Sequence, residues 1–425
     1  MYEAFLIGTF SIFFLVTFIY IVSKDIFFGG VYFFLFLYTI FAQIGYVYFP
    51  QLSILIKAYF EIEIYYVYYY FVFASFILFF LLFFFLYKPL IKKYNYHVKE
   101  SKPKLRIFNT ILFFFYFYML GYFIANYNNI SYENAVDTDL TKQLGAAYFI
   151  FFTGFKNLTL LCLTLYAKIR LQGNNQQAQK KVINYVIFLL FFLLFVSIST
   201  KLGSRTDIVA FLIGALFFEA ANISQISIKR KIAILFVVIF AGIFLNSLEH
   251  NRSENSQRDS LEGVEKLMMK DYYAPSHLLY GMIYHNYIYP GKVIESNLAN
   301  LLVKMNVPYL SQDIGNLINP GSSDRGKSYA FYIFNEGYMF MGKWGFIYNG
   351  LVVFFGLVIV RRLARSNHIL YNNFILALIS TQMANFTRSQ SMYFIKDIYF
   401  IFLPWMIMLY LGTGLRPYIR RKIAK

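Results

Sequence analysis

The sequence predicts an all-α polytopic integral membrane protein with about eleven (10–12) transmembrane helices, and three observations lead to this prediction. Hydrophobic residues make up 59% of the 425 residues and charged residues only 14%, whereas soluble domains contain about 25% charged residues. Apolar runs of about 20 residues, the length at which a helix crosses the hydrocarbon of a bilayer, recur along the whole chain. The basic residues between these runs lie on alternate connections, as expected for membrane proteins.

The apolar runs predict eleven spans and a single transmembrane domain, residues 1–425. The spans are expected at residues 4–22, 31–48, 66–87, 107–126, 144–166, 182–200, 208–225, 232–248, 338–360, 369–386 and 398–415. Cys162, the one cysteine, lies inside the fifth run, which excludes an intrachain disulfide and a multi-cysteine metal site.

The loop charges predict the orientation of the chain in the membrane. One set of alternate connections, together with the C-terminal tail, holds 23 basic residues and only two acids, Asp25 and Glu100. Because loops rich in Lys and Arg stay in the cytoplasm, the tail is expected inside and the N-terminus outside. The net charge of +18 is therefore a topology signal and does not indicate nucleic-acid binding.

The longest polar stretch, residues 249–327, is expected as one large periplasmic loop between the eighth and ninth predicted transmembrane helices. Its apolar spacing predicts amphipathic helices at 259–273, 275–287 and 291–307, the last two bounded by prolines. Residues 310–327 are rich in Gly, Ser, Asn and Asp and are expected to form an irregular loop over a site.

The first candidate for chemistry is a short outer turn between two spans, residues 199–207. Gly203 permits a tight turn, and Lys201 and Arg205 place cations at the membrane surface. Arginine suits a phosphate group because its planar fork makes bidentate, charge-assisted hydrogen bonds. The alternative interpretation is that Arg205 reaches toward lipid headgroups while Asp207 caps the next helix.

The second candidate is the 249–327 loop, whose eight basic residues are nearly balanced by nine acids. Such a balance is typical of a solvated surface, so most of these side chains are expected to be structural. His277 is interpreted either as a polar tip at the interface or as a base.

The third candidate is the Asn335-Glu336-Gly337-Tyr338 segment, followed by Gly342-Lys343-Trp344-Gly345. Glu336 and Lys343 enter an apolar segment seven residues apart, which predicts that both lie on one helix face. Ionisable groups at membrane depth are costly and suggest function. Glu336 is therefore either a general base or the ion-pair partner of Lys343.

These features together resemble the bacterial oligosaccharide repeat-unit polymerases, the O-antigen polymerase family. The resemblance is carried by the Gly203-Ser-Arg-Thr-Asp207 turn, the single large outer loop and the Glu336-Gly-Tyr … Gly342-x-x-Gly345 entry to the next helix. It implies a GT-C-like helical glycosyltransferase of the bacterial inner membrane. The enzyme would join undecaprenyl-pyrophosphate-linked repeat units into surface polysaccharide on the periplasmic face.

The resemblance also implies functional residues and partners. A departing pyrophosphate needs cations and an acceptor hydroxyl needs a base, for which His277 or Glu336 is the candidate. The candidate pyrophosphate-binding residues are Arg205, Arg252, Arg258, Arg325 and Arg388. No metal, cofactor, ATP or nucleic acid is expected; the expected partners are the lipid-linked oligosaccharide, membrane lipids and a polysaccharide chain-length regulator.

The alternative function is a lipid-linked oligosaccharide flippase or transporter, which is not an enzyme. A flippase favours charges inside the spans, lining a central cavity. Lys156 and Glu219 are the clearest of the few such charges in this chain. Polarity concentrated outside the spans therefore favours surface chemistry over translocation.

Overall fold

In the computed structural model, every regular element among the described residues is helical. The structure describes residues 2–24, 26–41, 64–87, 105–131, 134, 145–171, 178–220, 274–301, 310, 313–314, 331–363, 378, 390–392, 399–400, 403–405 and 407. Within these ranges there is no strand. The prediction of an all-α fold is confirmed for this part of the chain.

Eleven α-helices lie in these ranges and are numbered here in chain order. They are α1 Tyr2–Lys24, α2 Ile26–Phe36, α3 Ile64–Leu82, α4 Leu105–Ala125, α5 Gly145–Leu171, α6 Ala178–Leu202, α7 Arg205–Ala220, α8 Ala274–Tyr284, α9 Pro290–Leu301, α10 Ile333–Met341 and α11 Gly345–Leu363. Helices α2 and α3 each continue into a π-helical turn, and a 3₁₀ turn, Gly342–Trp344, joins α10 to α11.

Eight of the predicted spans fall on described helices. The remaining three, 232–248, 369–386 and 398–415, lie wholly or mostly outside the described residues. Among the described residues, four stretches have the length and apolar composition needed to cross a membrane: Tyr69–Leu86, Gly145–Arg170, Val182–Leu202 and Ile333–Ile359, the last of which comprises α10, the 3₁₀ turn and most of α11. These stretches indicate a helical membrane protein, and the total of eleven spans stays a prediction.

The chain divides into two compact units, each assembled from separate segments. Unit 1 contains Met1–Tyr94, Ser256–Val360 and Met383–Lys396, and unit 2 contains Asn95–Asn255, Arg361–Gln382 and Asp397–Lys425. Helices α1–α3 and α8–α10 thus lie in unit 1 together with nearly all of α11, whereas α4–α7 lie in unit 2.

Aromatic rings form the core of unit 1. Phe14 of α1 stacks on Tyr32 of α2 with ring centroids 5.3 Å apart, and the Tyr32 ring meets Phe76 of α3 edge-on at 5.1 Å. Phe334 of α10 packs edge-on against Phe71 and Phe76 of α3. Because lipid tails are as apolar as these side chains, close packing and ring geometry hold such helices together.

Helix α5 lies at the centre of unit 2 and packs against α4, α6 and α7. Phe155 of α5 stacks on Phe195 of α6 at 5.8 Å, and Phe195 contacts Phe211 of α7 at 5.4 Å. Gly154 lies against Met119 of α4, whose sulfur would be 3.1 Å from a Cβ at that glycine. The small residue therefore allows α4 and α5 to approach closely.

The described part of the 249–327 stretch belongs to the helix bundle of unit 1. Helices α8 and α9 confirm the helix predicted at 275–287 and, as far as residue 301, the one predicted at 291–307, whereas the helix predicted at 259–273 lies outside the described residues. Helix α8 packs against α3 and α10. Leu278, Leu279, Tyr280 and Met282 of α8 are fully buried. This part of the predicted loop is thus packed into a bundle and is not a separate soluble body.

Candidate functional site

Helices α10 and α11 form a sharp hairpin, so the predicted continuous span 338–360 is wrong at its start. Gly342 opens the 3₁₀ turn with a φ of 55°, a backbone conformation that favours glycine. An added Cβ at Gly345 would lie 2.0 Å from the carbonyl oxygen of Gly337. On one straight helix these two residues would be about 12 Å apart along the axis. The chain therefore folds back on itself, and two glycines allow the backbones to touch.

The hairpin overturns the prediction that Glu336 and Lys343 share one helix face. Glu336 lies in α10 and is fully buried, whereas Lys343 lies in the turn and is exposed. The hydrogen bonds of the Glu336 carboxylate come from other residues and no ion pair joins it to Lys343. The prediction failed because it assumed that the helix runs unbroken through Gly342.

The Glu336 carboxylate is the centre of a buried hydrogen-bond cluster in unit 1. Its Oε1 atom accepts hydrogen bonds from the Asn297 Nδ2 (2.9 Å), the Tyr348 hydroxyl (2.5 Å) and the Ser391 hydroxyl (2.7 Å). Its Oε2 atom accepts one from the Ser391 backbone N–H at 2.6 Å. We name Glu336, Asn297, Tyr348 and Ser391 the Glu336 cluster.

The hairpin makes this cluster, because Tyr348 follows Glu336 by twelve residues. On a straight helix such residues would be about 18 Å apart, but the turn at Gly342 brings the hydroxyl to the carboxylate. Asn297 comes from α9, and Ser391 comes from a short segment far along the chain. One carboxylate therefore ties together three separate parts of unit 1.

A second set of polar contacts continues the cluster along α9. The Gln390 Oε1 atom accepts hydrogen bonds from the Ser296 hydroxyl (2.9 Å) and the Asn300 Nδ2 (3.1 Å). Ser296, Asn300 and Gln390 are all buried. Helix α9 thus presents a polar face to the protein interior, and that face is paired with residues 390 and 391.

The carboxylate of Glu336 is stabilised by these donors. Moving a charge out of water is costly unless it is paired or hydrogen-bonded, and hydrogen bonds to an ionised acceptor are about twice as strong as neutral ones. With four donors, both oxygens of Glu336 are occupied. In this geometry the carboxylate orients Asn297, Tyr348 and Ser391.

Asn349, one residue after Tyr348, is a second buried polar group in the hairpin. Its side chain is fully buried, and neither its Oδ1 nor its Nδ2 has a hydrogen-bond partner among the described residues. It lines a small cavity together with Ser75 of α3 and Phe334 of α10. The Oδ1 atom would be 2.1 Å from a Cβ at Gly337, so the glycine also makes room for this amide.

The 199–207 turn, in unit 2, has the tight geometry that its sequence predicts. Gly203 has a φ of 58°, the Ser204 N–H donates to the Ser199 carbonyl (3.0 Å), and the Gly203 N–H donates to the Thr200 carbonyl (3.2 Å). This pattern is a Schellman motif, which closes α6 with glycine in the left-handed conformation. The ammonium of Lys201 lies 4.2 Å from the Tyr127 ring centroid, a cation–π contact.

Asp207 lies in the first turn of α7, and the interpretation that it caps this helix stays a prediction. The Ser204 hydroxyl donates a hydrogen bond to the Asp207 carboxylate. Burial raises the pKa of the Asp207 carboxyl, while the Ser204 hydroxyl and the Lys156 ammonium act in the opposite direction. Arg205 is the first residue of α7, and its side chain lies outside the described part of the turn.

The other predicted site residues are placed only in part. His277 lies in α8, and its side chain is outside what the structure describes. The residues that lie entirely outside the described ranges are Arg252, Arg258, Arg325 and Arg388. The arginine set and His277 therefore remain predictions. In the described part of the chain, no set of three His, Cys, Asp or Glu residues is arranged to hold a metal ion.

Sequence reasoning missed three members of the Glu336 cluster. Asn297 carried a usable signal, because Ser296, Asn297 and Asn300 follow the spacing of one helix face. Tyr348 is one of 39 tyrosines and carried none. Ser391 is a lone serine whose partner is 55 residues away in the sequence.

Comparison with known proteins identifies no relative. No family model, no curated protein and no solved structure matches the chain. Its function is therefore inferred from the residues and the geometry described above.

Proposed function

We propose that this chain is a polysaccharide repeat-unit polymerase of the bacterial inner membrane, with about eleven spans in a GT-C-like arrangement. It transfers a growing glycan from undecaprenyl pyrophosphate to the next lipid-linked repeat unit on the periplasmic face. The observation that carries the proposal is the Glu336 cluster, a buried carboxylate with an amide and two hydroxyls. Such a cluster is unusual in an apolar bundle and by default suggests a functional site.

The location of the cluster supports the proposal. Tyr348 is the fourth residue of the 19-residue helix α11, so the cluster lies near one end of an apolar helix about 28 Å long. The distribution of loop charges assigns that end to the outer side. The pyrophosphate of a lipid-linked sugar lies at the same level, where the acyl region meets water.

The proposed reaction needs a base and a cation set. The oxygen of the acceptor hydroxyl bonds to the anomeric carbon of the donor sugar, and the bond from that carbon to the pyrophosphate oxygen breaks. The hydroxyl proton passes to a base, for which His277 is the better candidate because the oxygens of Glu336 already accept four hydrogen bonds. Glu336 then acts as a positioning residue for Tyr348 and Ser391. The proposed pyrophosphate-binding residues are Arg205, Arg252, Arg258, Arg325 and Arg388.

The proposal is tested first by loss of the gene in its host. A polymerase mutant should display surface glycan reduced to one repeat unit on its lipid carrier or core. Complete absence of outer-face glycan would instead indicate a flippase and would overturn the proposal. Re-expression of wild-type protein and of Glu295→Gln, which alters an exposed residue of α9, should restore the full ladder, whereas Glu336→Ala should not.

A second test uses purified protein in vesicles with lipid-linked repeat units. Longer glycans should form without ATP and in the presence of EDTA, because the sequence contains no P-loop and the proposed pyrophosphate ligands are arginines. Complete loss of synthesis with EDTA, restored by one divalent ion, would contradict the arginine-only account.

The orientation is tested by cysteine labelling in cells. An impermeant thiol reagent should label Ser256→Cys, which lies in the predicted outer loop, and should miss Lys99→Cys, which lies in a predicted cytoplasmic connection. Wild-type protein is the control, because its one cysteine, Cys162, is fully buried. The reverse labelling pattern would overturn the orientation and, with it, the periplasmic placement of the reaction.

A further inference from the structure

Helix α9 turns three polar side chains and Val293 toward the protein, while its other large aliphatic side chains face away from it. Ser296 and Asn300 are buried, and Asn297 donates to the Glu336 carboxylate. Three large aliphatic side chains of the same helix are exposed: Ile294 (48%), Leu298 (52%) and Leu301 (43%). In water this arrangement is the inverse of the usual one, in which a surface helix buries its apolar stripe.

The residues of α9 fall into three sectors around the helix axis. Each residue advances about 100° around the axis, and Lys292 is set at 0°. The sector that faces the protein then extends from Ser296 at about 40° to Asn297 at about 140°. The exposed aliphatic ridge of Ile294, Leu298 and Leu301 lies between about 180° and 240°. The exposed charged residues Lys292 and Glu295 lie between about 300° and 360°. Only Ala299, a single methyl group near about 340°, is buried outside the first sector.

Contacts with α10 and α11 place α9 at the end of the apolar hairpin. The Tyr289 N–H, just before α9, donates to the Met339 carbonyl at 2.8 Å. The Asn297 Nδ2 lies 3.1 Å from the hydroxyl of Tyr348, in the first turn of α11. Helix α9 is therefore fixed beside the first turn of α11, a largely apolar helix of 19 residues.

The surface next to α9 has the composition of a membrane interface. Tyr284, Tyr289 and Trp344 are exposed, and Trp344 immediately precedes α11. Ile347, Leu351, Phe355 and Ile359 form an exposed apolar stripe along α11 at helical spacing. Trp and Tyr are enriched where a membrane protein passes from hydrocarbon to water. The exposed aliphatic residues of α9 thus belong to a helix that contacts α11 near the start of this apolar stripe.

We propose that α9 is an interfacial membrane helix whose aliphatic ridge inserts among the lipid acyl chains of the outer leaflet. Lys292 and Glu295 face the headgroups and water, and Lys292 also pairs with Asp313 at 3.0 Å. The bilayer is the partner that this ridge fits, because α9 is fixed at the end of an apolar helix and its polar side is already occupied inside the protein. An amphipathic helix in this setting buries its apolar face about 5–10 Å into the boundary between headgroups and acyl chains.

This inference goes beyond the proposed function and does not depend on it. It changes the interpretation of residues 290–301, which the sequence places in a periplasmic loop. One helix, about 10 Å thick, then separates the Glu336 cluster from lipid.

The test measures the environment of spin labels on α9 in the full-length protein. Leu298→Cys, Ile294→Cys and Leu301→Cys are labelled separately with a nitroxide, and the protein is reconstituted in vesicles of phosphatidylethanolamine and phosphatidylglycerol. Glu295→Cys is the matched control, because it lies on the same helix outside the ridge. Collision rates are then measured with oxygen, which concentrates in lipid, and with a neutral nickel chelate, which stays in water.

At the three ridge positions, we expect the nitroxide to collide more often with oxygen than with the nickel chelate. At residue 295 we expect the opposite preference. A preference for the nickel chelate at all four positions would place the ridge in water and overturn the proposal. Low collision rates with both reagents at the ridge would show that protein covers it, either another part of this chain or a second copy, and would also overturn it. Three separate ridge labels keep the test decisive if one variant aggregates on size-exclusion chromatography.

Discussion

Replacing Glu336 by alanine tests whether the buried cluster stabilises unit 1. The substitution removes the acceptor of four hydrogen bonds. The Tyr348 hydroxyl still lies 3.0 Å from the Ser391 hydroxyl, and the Asn297 Nδ2 still lies 3.1 Å from Tyr348. These three groups keep a partner, whereas the Ser391 N–H loses the carboxylate that it binds.

The expected loss is about 3 kcal/mol in the free energy of unfolding. An orphaned buried N–H costs roughly 1–3 kcal/mol, and the weakened contacts and the cavity left by the side chain add to that cost. For a unit of this size, each kcal/mol corresponds to about 2–4 °C in Tm, so the midpoint should fall by about 6–12 °C. The Tm of Glu336→Gln should fall less, because the amide oxygen of glutamine replaces Oε1, while its amide nitrogen opposes the Ser391 N–H.

The assay is thermal unfolding of the purified protein in detergent, followed by circular dichroism. Glu295→Gln serves as the control, because Glu295 lies on α9 and is exposed; surface substitutions usually change stability by less than about 0.5 kcal/mol. If Glu336→Ala melts at the wild-type temperature, the hydrogen bonds of the cluster do not stabilise the fold. An equal fall for Glu295→Gln would show that the effect is not specific to the cluster.

Three further predictions concern the hairpin and the Gly203 turn. Gly337→Ala should reduce accumulation of folded protein, because the new Cβ would lie 2.1 Å from an Asn349 atom and 2.6 Å from a backbone oxygen. Gly121→Ala is the control: nothing lies within 4 Å of its Cβ, so immunoblots should show a normal amount of protein. Because burial raises the pKa of Asp207 in the folded state, wild-type stability should decline as the pH rises from about 4 through that pKa; Asp207→Asn should remove this decline, and an unchanged Tm-versus-pH slope would contradict the assignment. If Arg205 binds pyrophosphate, Arg205→Ala should slow polymerisation by about a hundredfold, which corresponds to about 3 kcal/mol. Arg205→Lys should lose much of the activity that Arg205→Ala loses, because a lysine cannot hold two phosphate oxygens as the arginine fork does. A full-length glycan ladder from an Arg205→Ala protein that accumulates normally would exclude that function.

The sequence alone determined the class of the fold and most of its helices. Runs of apolar residues are local in the chain, and a helix satisfies its own backbone hydrogen bonds, so length and hydropathy suffice to place α1, α5 and α6 within a few residues. The tight turn at Gly203 was also predictable, because a glycine after a helix is a local signal. The helices within residues 274–301 were likewise indicated by their bounding prolines.

Only the tertiary structure decided how the polar residues are arranged. The sequence suggested one helix through Gly342 and paired Glu336 with Lys343, whereas the fold turns there and joins Glu336 to Asn297, Tyr348 and Ser391. These contacts join residues 12 to 55 positions apart, and no periodicity within one helix encodes such a pairing. The orientation of α9 has the same origin: its amphipathic pattern is local, but which side faces the protein depends on where a buried carboxylate lies, and packing between helices sets that position.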